Sequence, residues 1–262
     1  MNKKSLLAIL LPVLICIIIF ILPSAWQEKL AYSVSTINWW NWFTYIFVHE
    51  SMQHLLGNLI IYLIAISFVY WILVDKDRAL IPKMILYILI IIPLITLIFT
   101  SIVTYFHLIP PITGYSRGFS GVVAGILGLL GVCIAKRIQI KMNYNKNLWA
   151  FYYISIFMIV PALALMIWNI TWKGTILILI IWILMLISFI FTIGKKHNLQ
   201  KNHKIDWNNS IKISIGIMIL LIGMVQLVPP AIKQPNGSIV NILAHLIGFV
   251  SGFCIAFLVL KE

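Results

Sequence analysis

Long apolar runs separated by short polar clusters organise this 262-residue chain. Eight of the runs are long enough, or nearly so, to cross a bilayer as helices, a crossing that takes about 20 largely apolar residues. They cover roughly 5–22, 43–74, 82–106, 118–135, 149–168, 174–193, 210–228 and 238–260. The fourth is short and rich in glycine, and the second is overlong with a polar start. No soluble domain, long linker, low-complexity tract or internal repeat interrupts the series, so residues 1–262 read as a single all-α polytopic membrane domain. Lys3 and Lys4 ahead of the first run imitate a signal peptide. That run is longer than a signal's apolar region and no small-residue cleavage site follows it, so the expectation is a retained first span.

Composition strengthens the membrane assignment. Apolar residues make up 62% of the chain, charged residues only 10%, and the mean hydropathy is +1.06. A soluble domain of this length could not hide that much apolar surface. The net charge of +13 does not point to nucleic acid, because the basic residues fall in the short segments between apolar runs. Their placement gives an orientation. With the N-terminus inside, the outer segments hold only Lys29, Arg117, Lys173 and Lys233 of the 19 lysines and arginines. Both termini are therefore expected to be cytoplasmic, with the even-numbered spans running from outside to inside. Cys16, Cys133 and Cys254 lie inside apolar runs without metal-ligand spacing and read as core or lipid-facing thiols.

Polar and ionisable residues within spans are costly, which makes each one a functional candidate. Three groups stand out. The second run carries His49, Glu50, Ser51, His54 and Asn58; the fourth opens Gly118-Phe119-Ser120-Gly121; the eighth carries Ala244, His245, Gly248 and Gly252. All three runs are even-numbered, so their N-terminal ends share one side of the membrane, and the depths of His54, Ser120 and His245 agree within roughly 10 Å at the helical rise. Glycines at 121, 125 and 128 and at 248 and 252 form small-residue patches that let helices approach closely. Such approach would bring Ser120 within hydrogen-bond reach of His245. His54 and Asn58 are i,i+4 neighbours on one helix face, whereas His49 lies about 140° around from His54. A serine at a helix N-terminus has free N–H groups and the positive dipole end beside it, which suits a developing oxyanion. A desolvated imidazole stays neutral, the form a base needs.

These residues resemble the rhomboid family of intramembrane serine proteases. The likeness rests on HxxxxHxxxN (His49, His54, Asn58), GxSG (Gly118 to Gly121) and AHxxGxxxG (Ala244 to Gly252), in that order and with matching parity. Trp40-Asn41-Trp42-Phe43-Thr44 also looks like the loop leading into that family's second helix. The resemblance covers about 40–136 and 238 to the end. It implies that Ser120 is the nucleophile and His245 the general base of a dyad. It further implies an oxyanion hole from His54, Asn58 and the Ser120 N–H, with His49 as a structural histidine. Substrates would be transmembrane segments of other membrane proteins, cut towards the outer leaflet, and no metal, nucleotide or organic cofactor is implied. The Ile-, Lys- and Asn-rich composition is compatible with a prokaryote of AT-rich genome, which makes the cell membrane the expected location.

Three departures accompany the resemblance. The family core has six helices with one span between serine and histidine; here three intervene, which adds a pair around 149–228 while preserving parity. The loop at about 23–42 is short, and Asn41 stands where an arginine often follows the tryptophan. Ala124 replaces a tyrosine that often stacks on the catalytic histidine. A third, carboxylate member of the site is not expected, since of the six acids only Glu50 could come near and it reads as a solvated surface residue. The alternatives are a non-catalytic relative that binds membrane proteins, and a transporter with a polar His/Asn path, against which stand the absence of a deep acid and of an inverted repeat. A metalloprotease is disfavoured because His49-Glu50 and His54 are spaced one residue too far for HExxH.

Overall fold

The computed structural model describes residues 3–33, 38–105, 115–141 and 242–261, with helical pieces at 212–213, 215–220 and 222–223. The chain is mostly helical. In order come α1 (Lys3–Ile21), α2 (Ser24–Leu30), β1 (Tyr32–Ser33), α3 (Asn41–Thr44), α4 (Met52–Ile72) and α5 (Asp75–Arg78). There follow α6 (Ile81–Tyr105), β2 (Tyr115–Ser116), α7 (Ser120–Lys141) and α8 (Ile242–Lys261). Among the described residues four helices, α1, α4, α6 and α7, are long and apolar enough to cross a membrane. Helix α8 is apolar from Ala244 to Leu260 and lies beside α7. The chain is thus a helical membrane protein.

Helix α7 is the centre of the bundle. Of its apolar stretch 89% is buried, against 28% for α1 at the periphery. The reason lies in its small residues. A methyl group on Gly248 would strike the Gly121 carbonyl, one on Gly252 the Gly125 carbonyl, and one on Gly128 the Phe249 carbonyl. Backbone therefore meets backbone between α7 and α8, the mode of packing that serves helices in lipid. The order of these contacts shows that the two helices are parallel: Gly121 faces Ala244 and Gly248, Gly125 faces Gly248 and Gly252, and Lys136 reaches Leu260. On another side Ile88 and Ile92 of α6 close over Gly121 and Gly125. Gly216 packs on Phe68 and Ile134, and Gly223 on Leu127, so the piece containing them runs antiparallel to α7.

The outer elements are tied by polar contacts. Tyr62 of α4 donates its hydroxyl hydrogen to the Ile9 carbonyl of α1 (3.3 Å). The Gln27 amide donates to the carbonyls of Phe20 and Leu22, satisfying the end of α1. Thr44 donates to the Leu30 carbonyl at 2.7 Å, joining α3 to α2. Strands β1 and β2 form one antiparallel bridge, Tyr32 opposite Ser116 and Ser33 opposite Tyr115, which anchors the approach to Ser120.

The runs at 5–22, 82–106, 118–135 and 238–260 correspond to α1, α6, α7 and α8 within a few residues, except that α7 continues to Lys141. The second run needs correction. Its helix starts at Met52, and residues 43–51 form the end of α3, a 3-10 turn at Tyr45–Phe47 and an extended stretch. Ser51 causes the late start: it is extended (φ −146°, ψ 154°) and its hydroxyl accepts the His54 N–H, capping α4. The runs at 149–168 and 174–193 lie outside the described residues, and that at 210–228 is described only in its helical pieces.

Replacing Gly252 with alanine should lower thermal stability in detergent by about 1–3 kcal/mol, because the methyl meets a backbone carbonyl that cannot swing away. At Gly57 of α4 an added methyl would meet nothing within 4 Å. Gly57→Ala should therefore be neutral or stabilising by up to about 1 kcal/mol. Melting curves of the two variants check the contrast.

Candidate active site

Ser120 is the first residue of α7 and His245 lies one turn into α8. Parallel packing of these helices sets the His245 Nε2 2.8 Å from the Ser120 Oγ, across 125 residues of sequence. His245 is buried and Ser120 half-buried. The hydroxyl can donate to the imidazole, which is the geometry in which a base takes a proton from a nucleophile.

The residues ahead of Ser120 give the site its floor. Gly118 has φ 118°, a backbone conformation that favours glycine. A methyl there would sit 3.0 Å from His54 Cε1, 3.4 Å from His54 Nε2 and 3.9 Å from Ser120 Oγ. The His54 ring and the serine hydroxyl therefore flank the same small space above the Gly118 α-carbon. The amides of this loop are assigned in order: Gly118 N–H donates to the Tyr45 carbonyl (3.2 Å) and Phe119 N–H to His49 Nε2 (3.4 Å). The next amide, that of Ser120, belongs to the first turn of α7, whose N–H groups have no partner within the helix. Phe119 itself is fully buried against Phe47 and Tyr62 and holds the turn in place.

His49 joins three segments. Its Nδ1 lies 3.2 Å from the Phe47 carbonyl, which can only accept, so Nδ1 carries the hydrogen. Its Nε2 then accepts from the Asn58 amide (3.1 Å) and from Phe119 N–H. Protonating Nε2 would cost both bonds. Burial is the main cause that pushes the His49 pKa down to about 4, with the neighbouring His54 adding to it and the Phe47 carbonyl opposing it. His49 and His54 stand edge to face with ring centroids 5.2 Å apart.

Ser120, His245, His54 and Gly118 converge directly, and Gly121, Gly248 and Gly252 form the helix contact that permits it. Asn58 is buried on the same α4 helix, with its amide engaged by His49. Glu50 is exposed, and Arg117, half-buried beside Gly118, has interactions of its own. Asn41 is buried on α3, and Ala124 is fully buried in α7. Cys16 and Cys133 are buried free thiols and Cys254 an exposed one. His107, His197 and His203 lie outside the described residues. Sequence reasoning misses Phe119 and the backbone acceptors Tyr45 and Phe47; the aromatic inside Gly118–Gly121 is the one signal that points to the first. Compared with protein-family models, curated proteins and solved structures, the chain matches none.

A histidine with pKa about 4 in the fold and 6.5 as its ordinary value gives a signed pH effect. Between these values the unfolded chain binds a proton that the folded chain refuses, so folding stability falls as pH drops from about 6.5 to about 4. The slope from this group is at most about 1.4 kcal/mol per pH unit. Melting of wild type against His49→Gln over that range isolates the contribution of His49: the wild type should lose its advantage as pH falls, and a constant gap would contradict it.

Proposed function

We propose that this chain is an intramembrane serine endopeptidase similar to the rhomboid family, cleaving transmembrane segments of other membrane proteins. The observation that carries the reading is the 2.8 Å contact between Ser120 Oγ and His245 Nε2, made between two helices of an apolar bundle. Ser120 Oγ attacks the carbonyl carbon of the scissile peptide and its proton passes to His245 Nε2. The oxyanion that forms receives hydrogen bonds from the Ser120 N–H, His54 and the second amide hydrogen of Asn58. His245 then gives its proton to the leaving amine, and the C–N bond breaks to leave an acyl group on Ser120. Water, deprotonated by His245, releases the acid and regenerates the serine. The partners are single helices that unwind readily at the cut, with small residues at the scissile bond, and the bilayer itself.

The topology belongs to the same proposal: about eight spans, a six-helix core with an added pair, both termini cytoplasmic, and the site towards the outer leaflet of a prokaryotic cell membrane. Support comes from direction and charge. Helices α4, α7 and α8 run parallel, with His54, Ser120 and His245 at one end. Lys76, Arg78, Lys136 and Arg137 lie towards the other ends of α4 and α7, where the positive-inside tendency wants them. A parallel α7 and α8, both spanning, need an odd number of crossings between them, which the three runs at 149–168, 174–193 and 210–228 would supply. The metalloprotease alternative loses ground because His49 already spends both ring nitrogens on protein partners.

Reconstituted wild type should cleave a generic single-span substrate, with or without a chelator. Ser120→Ala and His245→Ala should each lose at least about a thousandfold in rate, and His54→Ala on the order of a hundredfold. Cleavage surviving in Ser120→Ala would sink the assignment. Silence from wild type, with no labelling of Ser120 by a fluorophosphonate, would favour the non-catalytic binding role.

A further inference from the structure

The serine and the imidazole stand on different helices, so their contact depends on how α8 is placed along α7. A slip of one residue would move His245 by about 1.5 Å and break a 2.8 Å bond. The glycine contacts fix how near the helices lie, but they are van der Waals contacts and give little direction along the axis.

A directional contact stands at the opposite end. Lys136 Nζ donates to the Leu260 carbonyl of α8 at 2.7 Å and lies 3.1 Å from Asp77 Oδ2. Lys136 follows Ser120 by the same stretch, within a residue, as Leu260 follows His245. The two polar contacts are therefore about 22–24 Å apart along both helices, one near each end of the same pair. The Leu260 carbonyl is in the last turn of α8, where carbonyls lack helical partners. Asp77 is in α5, directly after the helix that carries His54, so the contact joins α5 to the two helices that carry Ser120 and His245. Both side chains are largely withdrawn from the surface, the lysine 15% and the aspartate 6% exposed. Burying such a pair costs desolvation, so cohesion alone is a weak reason for it, whereas setting a register is a recognised use.

We infer that Lys136 and Asp77 are positioning residues, which fix the register of α8 on α7 and thereby the Ser120–His245 contact. The inference rests on the serine–histidine reading proposed above. It predicts an effect on reaction rate from a substitution about 24 Å from the reacting atoms.

The test uses the full chain in detergent and the rate at which a fluorophosphonate labels Ser120, resolved into its saturating rate and its half-saturating concentration. Thermal unfolding of each variant supplies the folded fraction. Lys136→Met should lower the saturating rate per folded molecule at least about tenfold, as misplacement of reacting groups does, with the half-saturating concentration unchanged. Lys136→Arg, which keeps a donor and a charge, should recover most of the rate. Should Lys136→Met not fold, Asp77→Asn takes its place under the same readout, since it keeps the side-chain size and removes the charge that aims Lys136 at the Leu260 carbonyl. Folded Lys136→Met or Asp77→Asn that labels at the wild-type rate, however easily it melts, overturns the inference and leaves the protease reading standing. A wild type that does not label removes both.

Discussion

Backbone-to-backbone packing of α7 on α8 is the constraint on which the other parts of the structure depend. In lipid, burying apolar surface between helices gains little, since the hydrocarbon is as apolar as the side chains it replaces. Close approach has to be won through shape. Gly121, Gly125 and Gly128 on one helix and Gly248 and Gly252 on the other supply that shape by omission, letting carbonyls sit where methyl groups would be. The same notches admit Ile88 and Ile92 of α6 from the side. With the helix axes brought this near, side chains as short as serine and histidine can meet at their N-terminal ends.

Three groups of polar side chains inside this apolar bundle occur in contact with polar partners, and they lie where elements join. An unpaired polar group here would cost several kcal/mol, so each set also dictates a geometry. Ser120 with His245 joins α7 to α8. His49 joins the 3-10 turn through Phe47, α4 through Asn58, and the approach to α7 through Phe119. Lys136 joins α7 to α5 and α8. The cost of burying polar groups is thereby converted into fixed relations between helices that apolar contact would leave free to slide.

Much of this is legible in the sequence, and the failures have physical causes. Runs such as 5–22 and 82–106 become α1 and α6 because hydropathy averaged over a span is a strong signal. Ser120, His54 and His245 can be grouped because parity and helical rise fix depth without any knowledge of packing. The start of α4 is misplaced because the apolar residues at 43–48 extend the run, while the capping bond from the His54 N–H to the Ser51 hydroxyl is one local contact that an average does not register. Lys136 and Asp77 look like loop charges. Their burial depends on two segments 59 positions apart meeting at the foot of the bundle, which no local pattern encodes. The bridge between Tyr32 and Ser116 is invisible for the same reason.

The pair of histidines in α4 and its approach shows how one arrangement resolves a sequence ambiguity. His49 and His54 are alike as residues, and their rings are 5.2 Å apart. The Phe47 carbonyl fixes the hydrogen of His49 on Nδ1, and two N–H donors occupy its Nε2, so it has no polar atom left to offer a substrate. Its burial and its neighbour keep it uncharged down to about pH 4. A neutral His49 places no like charge against His54, whose ring is the one beside Gly118 and Ser120. In the proposed reaction His54 is thus the imidazole positioned to donate to the oxyanion. The partners of His49, rather than any difference in residue type, divide the work between them.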